Sequence, residues 1–219
     1  MNPQELSISS RLIADIFAAF YDRAIRKYCY GRVVDLGCGK APLYALYRDY
    51  STEVTLVDWA DTAHKANCLD LECNLNNPLP FQDNAFETIV LSDVLEHIHS
   101  PALLWNEMYR ILSPGGKILL NTPFYYWLHE IPHDYYRYTE FGLRYLAEQA
   151  KFRICELEAI GGFYEIITDL FAKKLVKTKI IGKPFAAFIQ TACLWLTSRG
   201  MKKKKTTPFP FGYFMVVEK

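Results

Sequence analysis

Apolar and polar positions along the chain switch between helical and strand periods. Over residues 5–29, Leu6, Ile13, Ile16, Phe17, Phe20, Tyr21 and Ile25 recur near helical spacing with charges between them, which predicts an amphipathic helix. That helix either packs on a core or closes as a lid over a ligand. Val33-Val34 then leads into Asp35-Leu36-Gly37-Cys38-Gly39 and an apolar-aromatic stretch, Leu43 to Tyr50, which reads as buried strand, tight turn and helix. A second strand, Glu53 to Asp58, ends in an acid. A third is expected around Cys68 to Leu71, and a fourth runs from Phe86 to Leu91 and ends at Ser92-Asp93. Ser100-Pro101 starts a helix, with Ser100 as N-cap and Pro in the first turn. It runs to about Leu112, where Ser113-Pro114-Gly115-Gly116 stops it before a fifth strand, Lys117 to Asn121. This alternation predicts an α/β fold, an open and mostly parallel sheet with helices on both faces. Ligands on such sheets sit at the carboxyl ends of the strands, where Asp35, Asp58, Asn74 and Asp93 fall.

Composition narrows the picture. The 219 residues, 51% hydrophobic, suffice for one well-buried domain over 1–219 and are too few for two large ones. A net charge of +1 supplies no global field toward nucleic acid. The six cysteines, at 29, 38, 68, 73, 155 and 193, form no CxxC pair, so no zinc site is expected from them. With no signal peptide they read as reduced thiols of a cytoplasmic protein. Glycines at a strand-to-helix turn permit unusual backbone angles and close approach by a ligand. Asp58, about 20 residues further on, stands where an acid accepts hydrogen bonds from ribose hydroxyls in a nucleotide-binding sheet.

The ordered segments DLGCGKAP, LVDWAD, LNNPLPFQDNAFETIVLSDVLEHIHSP and EMYRILSPGGKILLNTPF resemble the class I S-adenosylmethionine-dependent methyltransferases, in particular their small-molecule group, over roughly residues 30–160. Ala41 replaces the third small residue after the paired glycines. Asn74 stands where relatives often carry an acid, and Glu87 where they usually have Asp. The resemblance implies a Rossmann-like, doubly wound sheet of seven strands, mostly parallel, with an antiparallel last strand. It also implies S-adenosylmethionine as cofactor, released as S-adenosylhomocysteine. Asp35, Gly37, Cys38 and Gly39 would meet the methionine part, and Asp58 the ribose. Trp59 would lie beside the adenine, Asn74 and Leu75 would flank the base, and Ser92 and Asp93 would line the pocket. Carboxylates suit the cofactor's ammonium and sulfonium charges.

Residues 121–139, NTPFYYWLHEIPHDYYRYT, occupy the loop after the fifth strand. The HDYYRYT run resembles a subgroup linked with modification of sugars or other secondary metabolites. Methyl transfer is a direct displacement, so positioning supplies much of the rate. A hydroxyl acceptor must also lose a proton, for which His is the natural base. His133 is the first candidate and His129 the second. Asp134 would orient the base or bind the acceptor. Arg137 would bind an acidic substrate or pair with Asp134 or Glu140, and Tyr125 and Tyr126 would contact the acceptor. The alternative is a tyrosine-rich loop that only holds the sheet edge. His97 either contacts substrate or serves a helix end. No metal is expected from His97, His99, His129 and His133.

Helix Thr139 to Ala150 and strand Phe152 to Ala159 follow, and Tyr213 to Val217 reads as the closing antiparallel strand. Between them an insertion over about 163–205 carries an amphipathic helix, Tyr164 to Val176, a more apolar one, Phe185 to Ser198, and the basic run Lys202 to Lys205. The apolar helix is shorter than the roughly 20 residues a bilayer requires. It would cap the substrate pocket, form a homodimer interface, or lie through residues 185–205 on the inner membrane face with the lysines on anionic headgroups. The expectation is a methyltransferase of a small molecule or glycan, acting at oxygen. A nicotinamide-dependent oxidoreductase is the first rival, although Pro42 stands where its glycine turn needs a third glycine. A non-catalytic cofactor-binding subunit is the second. An RNA substrate is disfavoured because the lysine run is the only dense basic segment.

Overall fold

The structure, a computed structural model, describes residues 11–60, 69–178, 182–200 and 207–219. The Lys202 to Lys205 run, Cys68 and the start of the N-terminal helix lie outside these residues. In chain order the elements are α1 (Arg11–Tyr28), β1 (Arg32–Leu36), α2 (Tyr44–Tyr47), β2 (Glu53–Asp58), β3 (Leu71–Glu72), β4 (Phe86–Ser92), α3 (Pro101–Ile111), β5 (Leu112–Pro123), α4 (Glu140–Gln149), β6 (Arg153–Ile160), α5 (Phe163–Leu175), α6 (Gly182–Gly200) and β7 (Gly212–Glu218). Seven strands form one sheet in the order β3-β2-β1-β4-β5-β7-β6. The pairs from β3 through β5 are parallel, and β7 runs antiparallel to both β5 and β6. Strand order reverses between β1 and β4, the place where such sheets open a crevice for a ligand.

The sheet's period of two sends alternate residues to opposite faces. Val34, Leu36, Ile89, Leu91, Ile118 and Leu120 meet α3 and α4 through Trp105, Met108 and Leu143. Val33, Val90, Leu119, Phe214 and Val216 face the other way and meet α1, whose Leu12, Ile16, Phe17, Phe20 and Tyr21 are buried there. The insertion joins this second layer: the Leu12 amide of α1 donates to Gln190 Oε1 of α6 at 2.8 Å.

Three local expectations are corrected. The third strand is two residues long and starts at Leu71, because its register with β2 pairs only Val57 with Leu71 and Asp58 with Glu72. Ser113 to Gly116 does not separate helix from strand. Leu112 already pairs with Phe86, and the proline-glycine segment bulges inside β5 before Lys117 pairs with Thr88. Ser100 caps no backbone amide; its hydroxyl lies 2.8 Å from His99 Nδ1 instead.

Candidate active site

The turn after β1 is fixed by its backbone. Gly37 and Gly39 have φ of +73° and +53°, a region that disfavours side chains. A Cβ on Gly37 would also lie 2.4 Å from Val94 Cγ2. The Gly37 and Cys38 amides both donate to the Val57 carbonyl, at 2.8 and 3.0 Å. The Gly39 amide donates to Asp58 Oδ2 at 2.9 Å, and the Trp59 amide to Asp58 Oδ1 at 2.8 Å. Asp58 therefore ties the end of β2 to the glycine turn. Asp35 is buried and accepts a 2.6 Å bond from the Tyr47 hydroxyl. Burial raises its carboxyl to about 7; the Tyr47 bond opposes this and the Asp58 charge adds to it. Cys38 is buried and its thiol is pushed up to about 12, first by burial and then by Asp35 and Asp58, so it is no nucleophile.

The raised Asp35 carboxyl gives a pH prediction. An acid whose folded value lies above its unfolded one contributes stability that is complete below the unfolded value and is lost as pH rises through the folded value. For Asp35 that window runs from about 3.8 to about 7. Urea unfolding of the ligand-free protein at pH 5 and pH 8 should show a falling stability. Asp35→Asn should reduce the fall by on the order of 2–3 kcal/mol; an unchanged fall would contradict the assignment.

Next to Asp58, the Trp59 ring meets the His133 ring edge-on at 5.0 Å. Asn74 is exposed, and its Oδ1 accepts from the Asn76 amide and side chain at 3.0 and 3.2 Å. The oxygen expected to face adenine thus closes its own turn. Leu75, expected beside the base, packs in the core with Leu79 and Phe86.

At the end of β4 the chain turns through Asp93, φ +52°, next to half-buried Ser92. Asn121 Nδ2 donates to Asp93 Oδ1 at 2.7 Å, and the Tyr21 hydroxyl of α1 donates to Asn121 Oδ1 at 2.8 Å. Asp93 is open to solvent at its surface yet surrounded by protein. That surround, followed by the nearby Glu96 charge, raises its carboxyl. Glu96 lies in a short 3-10 turn, Leu95–His97. It is 0% exposed, and among the described residues neither carboxylate oxygen has a hydrogen-bond partner. Burial pushes this carboxyl up to about 7.

Two imidazoles face Glu96. His97 Nε2 lies 3.7 Å and His129 Nε2 3.6 Å from its Oε1. His97 Nδ1 is 2.8 Å from the His133 carbonyl. A carbonyl only accepts, so Nδ1 carries a proton, and in the neutral ring Nε2 has the lone pair. His129 Nδ1 lies 3.4 Å from Asp134 Oδ2. Asp134 is fixed in turn by Arg137, through Nη1 at 2.5 Å and Nη2 at 2.7 Å, and by the His129 amide at 3.0 Å. Burial alone would raise its carboxyl, but the Arg137 pairing overrides that and holds it at about 2. Of the sequence-predicted residues, Asp93, His97, His129, Asp134, Arg137 and Tyr126 come together here, with the Tyr126 ring 5.1 Å from that of His129. His133 stands apart, against Trp59 and 3.1 Å from the Tyr135 hydroxyl. Tyr125 is half-exposed against Phe124 and Phe209. Sequence reasoning missed Glu96, Asn121, Tyr21 and Tyr47. Only the position of Asn121 at a strand end hinted at a role. A cavity of about 600 Å³ beside α2, lined by Lys40, Tyr44, Arg48, Glu53 and Asp70, includes none of these groups.

The donor set at the ends of β1 and β2 suits a ligand with positive charge and vicinal hydroxyls. Two crowded carboxylates, one of them raised by burial, would be relieved by a cation, and an acid beside a tryptophan suits a nucleoside.

A family model described as a methyltransferase domain matches residues 9–157. A probable S-adenosylmethionine-dependent methyltransferase of Mycolicibacterium smegmatis is 33% identical over 101 residues, which is 43% of this chain and 39% of that protein. The chain spans less than half the length of the curated relatives it matches first. Among solved structures, the cyclase SpnF aligns with a TM-score of 0.64 at 18% identity, over 94% of this chain and 81% of that one. A SAM-dependent methyltransferase from Archaeoglobus fulgidus aligns with a TM-score of 0.60 at 18% identity, over 94% of both chains.

Proposed function

The chain belongs to the methyltransferase-domain family, and from that premise we propose that it is an S-adenosylmethionine-dependent methyltransferase acting on a hydroxyl of a small molecule or glycan. The observation that carries the reading is the alignment of two polar centres along one sheet edge. The Asp35–Asp58 glycine turn forms one, and the group of buried Glu96 with partly buried His97 and His129, beyond β4 and β5, forms the other. S-adenosylmethionine, when bound, supplies a methyl group on a sulfonium. Asp35 and the glycine turn would hold its methionine end, Asp58 the ribose and Trp59 the adenine. The Glu96–His97–His129 group would face the acceptor and lower the cost of removing its proton, while Asp134 and Arg137 keep His129 in place. His133, on the Trp59 side, then ranks below His129. Fold alone does not compel methyl transfer, since SpnF is described as a cyclase; the histidine–glutamate group is what favours chemistry at an acceptor oxygen.

A labelled methyl-transfer screen over sugars, phenols and lipid-linked glycans tests this. His129→Ala should cost on the order of 10²–10⁴-fold in rate on any acceptor found, and His133→Ala less. Product methylated at nitrogen or carbon would contradict the oxygen assignment. Cofactor binding with no transfer to any acceptor would favour the non-catalytic rival.

Peripheral membrane contact is a second reading. No helix among the described residues is long and apolar enough to cross a membrane. The insertion nevertheless exposes Tyr164, Leu170 and Phe171 on α5 and Phe188, Trp195 and Leu196 on α6, the residue types of an interfacial helix. Pelleting with anionic vesicles at low salt, lost in Phe171→Glu/Phe188→Glu, is the expected result. Wild-type protein that stays in the supernatant would remove the reading.

A further inference from the structure

The geometry points to a divalent-metal site built by Glu96 Oε1, His97 Nε2 and His129 Nε2. Their ligand atoms all lie within 4.8 Å of one another. The two Glu96-to-histidine separations are 3.7 and 3.6 Å. Ligand atoms at about 2.0–2.2 Å from a shared ion stand about 3.0–3.4 Å apart, so closing the site needs movements of a few tenths of an ångström.

Three further observations support an ion rather than a structural cluster. Glu96 is completely buried, and both its oxygens lack a hydrogen-bond partner among the described residues. A buried carboxylate in that state is costly and calls for a counter-charge. His97 is fixed in the tautomer a ligand needs, because its Nδ1 proton is committed to the His133 carbonyl at 2.8 Å and Nε2 points its lone pair at Glu96. His129 has its far nitrogen beside the Asp134 carboxylate, which Arg137 immobilises. A carboxylate or carbonyl behind each ligating imidazole is the usual outer support of a metal centre. The two glutamate-side ligands come from the turn after β4 and His129 from the loop after β5. The site is therefore assembled across two loops; the HExxH spacing of His129 and His133 lies in a non-helical loop, with His133 against Trp59 and only His129 at Glu96.

Two imidazoles and one carboxylate suit a first-row transition ion such as Mn²⁺, Fe²⁺, Co²⁺ or Zn²⁺ and leave coordination positions open. Held by Glu96, His97 and His129, such an ion would supply Lewis acidity beside an acceptor hydroxyl and lower the cost of its deprotonation. That catalytic consequence rests on the methyl-transfer reading; the site itself does not.

The test is therefore binding. Full-length protein treated with chelator is titrated with Co²⁺ and the visible d–d absorption is followed, with Zn²⁺ as displacing ion. One saturable equivalent is expected. Affinity should fall at least about 100-fold in His97→Ala and His129→Ala, and about 10–100-fold in Asp134→Asn, which keeps all three ligands and weakens the support behind His129. His99→Ala, whose ring lies against the Ser100 hydroxyl, should leave affinity unchanged. Melting of the metal-free variants checks that each is folded. If His97→Ala or His129→Ala does not fold, the wild-type stoichiometry and Asp134→Asn decide. Absence of a saturable band in wild type, or a band indifferent to these substitutions, overturns the site. Metal binding without methyl transfer to any acceptor leaves the site standing and removes the reaction.

Discussion

Asp58→Ala weakens binding of S-adenosylhomocysteine by about 10²–10³-fold in calorimetric titration. Hydrogen bonds to a charged acceptor are worth roughly 1.5–3 kcal/mol each, and a factor of ten in affinity is about 1.4 kcal/mol. Loss of two ribose contacts alone would reach the lower end of that range. The structure adds a second loss. Asp58 also accepts from the Gly39 amide at 2.9 Å and the Trp59 amide at 2.8 Å, so its removal frees both the glycine turn and Trp59, the residue proposed to lie beside the base. Asp58→Asn keeps the shape and one accepting oxygen, and should fall between wild type and Ala. Affinity within threefold of wild type for Asp58→Ala would show that this acid does not hold the ribose.

Asp169→Ala destabilises the protein by about 3–5 kcal/mol, read from urea unfolding at pH 7. Asp169 and Lys173 form an ion pair at 2.5 Å with side chains only 3% and 4% exposed. Burial pushes the Asp169 carboxyl up despite the lysine, so the pair is held at a desolvation cost that its mutual attraction offsets for the acid. Removing the acid strands an ammonium in the interior. The double variant Asp169→Leu/Lys173→Met removes both charges and should recover most of the loss. The effect reaches the site as well. Lys173 Nζ sits 4.1 Å from the Tyr126 ring centroid and 4.8 Å from that of Trp127, so α5 clamps the aromatic loop that carries His129. A loss below about 1 kcal/mol would contradict the buried pair.

The sequence made the sheet legible because its signals are local and repeated. Val33-Val34, Leu56-Val57 and Ile89 to Leu91 are apolar on both faces, as strands covered by helices must be. The acids at Asp35, Asp58 and Asp93 mark strand ends. The antiparallel last strand followed from the family resemblance, and its register, Leu119 against Val216, confirms it. Local signals failed where tertiary contacts decide. Phe86 and Lys219 draw Leu112 to Gly116 into the sheet, against the turn signal of a proline and two glycines. Asn74 closes its own turn because Asn76 follows two residues later. Above all, Glu96 lies within a segment that carries the family resemblance, yet nothing local assigns it a role. It becomes significant only when the loop after β5 folds over it, with the Tyr135 and Tyr136 amides donating to its carbonyl at 2.9 and 3.2 Å. The same folding brings His129 to Glu96 and takes His133 to Trp59, which is why the proposed function places His129 ahead of His133.

Calorimetric titration of the full chain with S-adenosylhomocysteine, and separately with NAD, tests the central claim most directly. The predicted result is saturable binding of one equivalent of S-adenosylhomocysteine, weakened in Asp35→Ala and Asp58→Ala, with no heat from NAD. Binding of NAD in its place, or S-adenosylhomocysteine binding that ignores both aspartates, would contradict the account.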